Sequence, residues 1–161
     1  MVQLANGKKK TARSSYTIEI FKLDKANIPR ERVAVGAKEN IKIAANAIDS
    51  SLVSLKVEKP QLWDLENTNL YLAKVSVYDR KTLTDVYDVP FGFRTLKFTH
   101  NNGFLLNGKR VQLKGVCMHH DLGALGTAIN KSAIERQINI LKSFGANAIR
   151  TCLLYTSPSP R

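Results

Sequence analysis

The segment from Gly103 to Thr151 constrains the fold of this chain more than any other part of its sequence. It contains an Asn107-Gly108 hairpin signal, a short apolar strand at Gly115–Met118, an amphipathic helix and a second buried strand at Ala146–Arg150. Both central residues of the tight hairpin turn that Asn-Gly favours need positive φ. The order strand, helix, strand predicts a parallel strand pair. One such unit is typical of the opening of an α/β barrel and cannot close a barrel by itself.

The helix in this segment has a start signal, a stop signal and one apolar stripe. Ser132 to Glu135 fits a capping box, and Asn130 is an alternative cap. Gly145 is the expected stop. The apolar stripe consists of Ile134, Ile138, Ile140, Leu141 and Phe144. The sequence therefore predicts a capped amphipathic helix that ends near Gly145.

Upstream, residues 15–102 read as short strands separated by turn signals, with no convincing helix. This pattern and length predict an immunoglobulin-like β-sandwich. We expect Trp63 to fill the core of this sandwich rather than to contact a ligand. The predicted strands are Tyr16–Phe21, Ser51–Val57, Leu70–Tyr78, Asp85–Phe93 and Thr95–Thr99, and the predicted breaks include Val35–Ala37.

The net charge of +12 is concentrated near the two ends of the chain. Residues 15–102 are nearly balanced, and no aromatic residues alternate with basic ones as in base-stacking surfaces. The sequence therefore disfavours a nucleic-acid partner. It has no apolar run long enough for a membrane span. Cys117 and Cys152 lack the spacing of a disulfide framework or a metal site, and we expect both to be small buried thiols.

The candidate site follows the first strand of the barrel-like segment, at Met118-His119-His120-Asp121. In α/β barrels, the residues that perform chemistry lie at the C-terminal ends of the strands. A metal site is disfavoured because adjacent histidines in a strand point to opposite faces. The sequence predicts no metal and no cofactor in this chain.

Four ordered motifs together resemble glycoside hydrolase family 2, and most closely its bacterial β-galactosidases. The similarity covers about residues 15–151. The motifs are Gly92-Phe93-Arg94-Thr95, Phe104-Leu105-Leu106-Asn107-Gly108-Lys109, Lys114-Gly115-Val116-Cys117-Met118-His119-His120-Asp121 and Asn147-Ala148-Ile149-Arg150-Thr151.

The resemblance implies a jelly-roll sugar-binding domain upstream, the immunoglobulin-like sandwich, and a catalytic TIM barrel that begins near residue 103. On this basis we expect a basic N-terminal segment at 1–14 that is the edge of a fragment, the sandwich at 15–102 and the barrel start at 103–151. Residues 152–161 are expected to be a non-native tail. The family pattern continues with Ser-His-Asn-Pro where this chain has Cys152-Leu153-Leu154-Tyr155.

The resemblance also assigns roles to four substrate-binding residues. His119 matches the histidine that reaches the substrate subsite, and Arg150 matches the arginine that lies close to the nucleophile. His120 and Asp121 match more variable positions that shape the pocket. The partner implied is a β-linked galactoside or related sugar, and the parent protein is compatible with a homo-oligomer.

Retaining glycosidases use two carboxyl groups about 5–5.5 Å apart. The barrel-like segment has only Asp121 and Glu135, and Glu135 is better explained as a helix-cap residue. The family's two catalytic glutamates belong to later strands, so we expect this chain to be inactive. The alternative is a non-catalytic sandwich module that binds carbohydrate or another partner. The sequence does not decide whether the substrate is a galactoside or a glucuronide. It also does not decide whether the parent protein is periplasmic, secreted or cytoplasmic.

Overall fold

The computed structural model describes residues 1–119, 122–126 and 128–151. The chain divides after Arg94 into two compact units, Met1–Arg94 and Thr95–Arg161, which we call unit 1 and unit 2. His120, Asp121 and the expected tail at 152–161 lie outside the described residues.

Unit 1 is an antiparallel β-structure with two sheets, which confirms the predicted sandwich class. A four-stranded sheet has the order β3-β2-β5-β6, and a two-stranded sheet pairs β1 with β4. The strands are β1 (Val2–Asn6), β2 (Ala12–Leu23), β3 (Pro29–Ile43), β4 (Ala47–Ser51), β5 (Tyr71–Asp79) and β6 (Thr82–Phe91).

The core of unit 1 joins the two sheets. Leu4 from β1 packs with Tyr16 from β2 and with Ile41 and Ile43 from β3. Tyr16 is fully buried, and its hydroxyl donates a 3.0 Å hydrogen bond to Ser51 Oγ at the end of β4. A buried tyrosine supplies a large apolar area and needs a partner for its hydroxyl, and this site provides both.

Strand β3 was not anticipated, and the predicted break at Val35–Ala37 lies inside it. Conversely, the predicted strand Ser51–Val57 forms no ladder beyond Ser51, although Val53, Leu55 and Val57 are half-buried in the expected alternation. Gly36 accounts for the way this segment packs. A Cβ at Gly36 would lie 2.4 Å from Leu55 Cδ2, so the missing side chain lets this extended segment pack onto β3.

The N-terminal segment 1–14, expected as a fragment edge, contributes β1 and the start of β2 to unit 1. Asn6 is buried, and its Nδ2 donates to the carbonyl oxygens of Lys10, Ile43 and Ala44 at 2.9–3.1 Å. The compact unit thus spans Met1–Arg94, whereas the sequence led us to expect a sandwich at 15–102.

The described part of unit 2 has two sheets and one α-helix, consistent with the start of a barrel. The antiparallel sheet has the order β7-β8-β9, and β10 pairs with β11 in parallel. The elements are β7 (Leu96–Thr99), β8 (Gly103–Leu106), β9 (Lys109–Arg110), β10 (Gly115–Met118), a 3₁₀ turn (Gly123–Leu125), α1 (Lys131–Ser143) and β11 (Ala148–Thr151).

The turn and the helix of unit 2 form where the sequence indicates. Asn107 and Gly108 have φ values of 51° and 79°, as the predicted hairpin turn requires. Asn130, not Ser132, caps α1, because its side chain accepts a 3.0 Å bond from Ala133 N. Gly145, at φ 81°, follows the helix end. No helix among the described residues has the length and apolarity needed to cross a bilayer.

Candidate functional site

The candidate site lies at the C-terminal edge of the parallel pair formed by β10 and β11. Cys117 pairs with Arg150 and Met118 with Thr151, and His119 follows β10 directly. Parallel strands that end in register present their last side chains at the same edge. The register therefore brings the neighbourhoods of His119 and Arg150 together, although 31 positions separate them in the sequence.

Arg150 and Cys117 face the same side of the strand pair. Arg150 Nη1 lies 4.0 Å from Cys117 Sγ, a weak N–H···S contact between two exposed side chains. Cys117 is a free thiol and is exposed, so the prediction that it is buried was wrong. Cys152 lies outside the described residues.

The opposite end of the strand pair is fixed by Asn147, whose role the sequence did not reveal. Lys114 N donates to Asn147 Oδ1 at 2.8 Å, and Asn147 Nδ2 donates to Gln112 O at 3.0 Å. The Asn147 backbone N–H also donates to Lys114 O at 2.8 Å. One side chain thus satisfies two backbone groups of the segment that leads into β10. These hydrogen bonds fix the register of β10 and β11, and this register determines the position of Arg150, three residues after Asn147.

Gly115 allows the close approach of the two strands. A Cβ at this position would lie 2.5 Å from the carbonyl oxygen of Ala148 and 3.0 Å from its carbonyl carbon. Backbone atoms in a ladder have little freedom to move aside, so any larger residue would push the strands apart. Glycine inside a strand commonly marks such an approach.

The predicted substrate-side residues have few protein partners. His119 and Arg150 are both exposed, and Arg150 forms no ion pair with any carboxylate of the described chain. The described residues contain no group of three or more metal-ligating side chains. His120 and Asp121 lie outside the described residues, so the pocket-shaping role expected for them stays a prediction.

Glu135 is not positioned for chemistry with the strand ends. It lies on α1, where its carboxylate is 3.8 Å from Lys131 Nζ in an i, i+4 pair with both side chains mostly exposed. Such surface pairs contribute at most a few tenths of a kcal/mol to a helix. We therefore assign Glu135 to the helix surface.

The Gly92-Phe93-Arg94 motif organises the last residues of unit 1 around Trp63. Trp63 N donates to Phe93 O at 2.9 Å, and the Arg94 guanidinium carbon lies 4.7 Å from the centre of the Trp63 ring. A Cβ at Gly92 would lie 3.0 Å from Trp63 Cβ. Trp63 is half-buried, so it serves as a packing residue and as a cation–π platform for Arg94.

These features define a class: a β-sandwich followed by the first strand–helix–strand unit of a barrel, with polar side chains at the carboxyl edge. The family comparison agrees. Residues 1–94 match glycosyl hydrolases family 2, and residues 98–157 match the TIM barrel domain of that family. The chain belongs to glycosyl hydrolase family 2.

Individual relatives include enzymes of two specificities. The chain is 44% identical over 106 residues to a β-galactosidase of Bacteroides ovatus, covering 66% of this chain and 12% of the relative. It is 37% identical over 120 residues to a β-glucuronidase of Streptococcus agalactiae, covering 74% of this chain and 19% of the relative.

Solved structures give the same result. A family 2 member from Bacteroides cellulosilyticus is similar with a TM-score of 0.81 at 34% identity, over 92% of this chain and 20% of that one. A β-glucuronidase from Bacteroides uniformis is similar with a TM-score of 0.78 at 28% identity, over 99% of this chain and 18% of that one. The chain therefore spans a fifth or less of the length of these relatives.

Proposed function

We propose that this chain is part of a retaining glycosidase that hydrolyses terminal β-galactosides, and that His119 and Arg150 contact the sugar. The observation that carries the proposal is the register of β10 and β11, which ends both strands at one edge. An imidazole and a guanidinium at such an edge can donate hydrogen bonds to sugar hydroxyls and to a carboxylate. We place His120 and Asp121 at the border of the same pocket.

A β-glucuronide is the second candidate substrate. Relatives named as β-glucuronidases match this chain over at least as much of its length as the β-galactosidase does. A glucuronide carries a carboxylate that an arginine binds through two parallel hydrogen bonds. The galactoside is the first candidate because the β-galactosidase match has 44% identity, against 42% for a putative β-glucuronidase of Formosa agariphila over an equal length of 106 residues.

We further propose that the 161-residue polypeptide is inactive by itself. Between Thr95 and Arg161 its carboxylates are Asp121 and Glu135, and Glu135 lies on the surface of α1. A retaining mechanism needs an acid/base and a nucleophile on opposite sides of the scissile bond. One remaining carboxyl group cannot supply both roles.

The first experiment uses the purified chain with nitrophenyl β-galactoside and nitrophenyl β-glucuronide. We expect no hydrolysis of either substrate above the buffer rate. Appreciable hydrolysis by the 161-residue chain would contradict the proposed inactivity.

The second experiment recovers the coding sequence around the same locus and assays the longer product. We expect it to prefer the galactoside, and a preference for the glucuronide would establish the second candidate instead. In that product, His119→Ala and Arg150→Ala should each lower kcat/KM by about 10- to 100-fold, the cost of a lost hydrogen bond to a charged group. His100→Ala is the matched control, because His100 lies in the β7–β8 turn.

The alternative of a binding module makes a different prediction for the isolated chain. It assigns the function to unit 1, which has its own core. Binding of neutral galactan by the 161-residue chain would favour that alternative, provided that substitutions in unit 2 leave this binding intact.

A further inference from the structure

Unit 1 gathers basic side chains from two distant parts of the sequence at one end of the sandwich. One group comes from the segment between β1 and β2 and from the start of β2, and the other comes from the β5–β6 turn. Arg80 N donates a 3.4 Å hydrogen bond to Arg13 O, which joins the two segments. We call this surface the basic end; it consists of Lys8, Lys10, Arg13, Arg80 and Lys81, all exposed.

The charge of the basic end is only partly compensated. Asp79 Oδ2 accepts from Lys8 Nζ at 2.5 Å, and this bond together with the charges of Lys8 and Arg80 lowers the pKa of Asp79. The other four basic residues have no carboxylate oxygen within 4.0 Å in the described chain. Asp79 therefore stays ionised and neutralises Lys8, and four cationic groups remain available.

The basic end has the shape of a ligand surface. Two open grooves of about 880 and 540 Å³ share Arg13, Arg80 and Lys81 in their walls. The larger groove is also lined by Thr11, Thr82, Thr84 and the Lys8-paired Asp79, and the smaller one by Ser14, Ser15, Asn40 and one carboxylate, Glu39. Cationic groups and hydroxyls thus line both grooves.

This surface is remote from the end where the chain leaves unit 1. Strand β6 starts at Thr82, beside the basic end, and finishes at Phe91, near the Trp63–Arg94 contact. A strand of ten residues is about 33 Å long. A ligand at the basic end would therefore not occupy the residues around Arg94.

We propose that the basic end of unit 1 binds an acidic polysaccharide, that is, a glycan chain that carries carboxylate or sulfate groups. Arginine binds both anions through paired hydrogen bonds, and the threonine and serine hydroxyls suit the neighbouring sugar hydroxyls. The grooves contain no aromatic residue, so the stacking that single-stranded nucleic acids use is absent from their described lining. Membership of a glycosidase family also favours a glycan over a nucleic acid.

The test measures binding of the full 161-residue chain to dextran sulfate, polygalacturonate, neutral dextran and duplex DNA at several salt concentrations. The test variant is Arg13→Gln/Arg80→Gln/Lys81→Gln. The control variant, Lys25→Gln/Arg136→Gln/Lys142→Gln, removes the same charge from exposed positions elsewhere. We expect the test variant to bind both acidic glycans about tenfold more weakly, because each exposed cation contributes modestly, and the control to change little.

Three outcomes would overturn the proposal. Equal losses in the two variants would show that only net charge matters. Binding to neutral dextran as strong as to dextran sulfate would remove the role of the anionic groups. If the chain binds duplex DNA more tightly than the acidic glycans, and the test variant loses this DNA binding, the surface would be assigned to nucleic acid. Arg13→Lys/Arg80→Lys keeps the charge but loses the paired hydrogen bonds, so it should bind more tightly than the test variant and more weakly than the parent chain. Circular dichroism should show every variant folded. These binding measurements do not depend on glycosidase activity.

Discussion

Unit 1 and the described part of unit 2 differ in how much of their apolar surface they bury. Leu106 is the buried hydrophobic residue of unit 2, whereas the other seven of the described chain belong to unit 1. Helix α1 has no buried residue, and Phe144 at its end is 85% exposed. Hydrophobic burial is the main driving force of folding. Stability should therefore reside in unit 1, while the strands and helix of unit 2 keep open apolar faces.

The test with the largest expected effect replaces the tyrosine at the centre of the unit 1 core. We expect Tyr16→Ala to lower the free energy of unfolding of unit 1 by about 3–5 kcal/mol, because it leaves a cavity between the two sheets. This loss of stability can be measured by urea unfolding, monitored through the fluorescence of Trp63, the single tryptophan.

Tyr16→Phe is the matched control for the aromatic ring. It removes the hydrogen bond to Ser51 Oγ and should cost about 1 kcal/mol, with the ring packing preserved. A loss below about 1 kcal/mol for Tyr16→Ala would contradict a core shared by the two sheets.

The next test concerns the strand pair of unit 2. Gly115→Ala places a methyl group 2.5 Å from Ala148 O. We expect this overpacking to destabilise the strand pair by about 1–3 kcal/mol. Faster amide hydrogen exchange in β10 and β11 is the measurement. Gly7→Ala is the control, since a Cβ at Gly7 meets nothing within 4 Å. Unchanged exchange in the Gly115→Ala chain would mean that the two strands do not approach this closely.

A smaller effect is expected at the start of α1, where two capping residues were considered. Asn130→Ala should cost about 1 kcal/mol, because Ala133 N loses its side-chain acceptor. Ser132→Ala should change stability by less than about 0.5 kcal/mol, as a surface substitution inside the helix. Helical circular dichroism and exchange of the α1 amides compare the two. A larger loss of stability for Ser132→Ala than for Asn130→Ala would show that the Ser132–Glu135 capping box caps the helix instead.

Local patterns predicted the fold where neighbouring residues decide the structure. The Asn107-Gly108 turn, the order β10, α1, β11 and the strand at β5 depend on residues close in sequence, and all three are present. The apolar alternation expected along β5 does not appear in its burial, since Tyr71 and Ser76 are its buried residues. Strand β3 was missed because it buries only Ile41 and Ile43 and has no alternation over most of its length. Its hydrogen bonds go to β2, the preceding strand, and this backbone pairing leaves no mark in the side-chain pattern of β3.

The candidate site follows the same division. Its position after β10 was predictable, since strand ends are local features. The roles of Asn147 and Gly115 were not, because they depend on Lys114, Gln112 and Ala148 across the strand pair. The basic end is a similar case, as its two segments lie about 70 residues apart. Contacts between distant residues need the folded backbone before they can be recognised.

The smallest expected effect is the acid response of unit 1, through Asp24. Its carboxylate accepts 2.9 Å bonds from Ile28 N and Ala26 N and pairs with Arg30. The Ile28 bond, followed by the Arg30 and Ala26 bonds, lowers the pKa of Asp24 below 3.8. A carboxyl group with a lowered pKa stabilises the folded state above its unfolded pKa, and this contribution is lost as the pH falls through the folded pKa.

Asp24→Asn should therefore be less stable than the parent at neutral pH, and the difference should shrink as the pH falls below 3.8. Urea unfolding of unit 1 between neutral pH and pH 3 measures the difference. Asp88→Asn is the matched control, because exposed Asp88 on β6 forms no ion pair in the described chain. A difference that stays constant on acidification would mean that the Asp24 loop stabilises unit 1 through its backbone geometry and not through the charge.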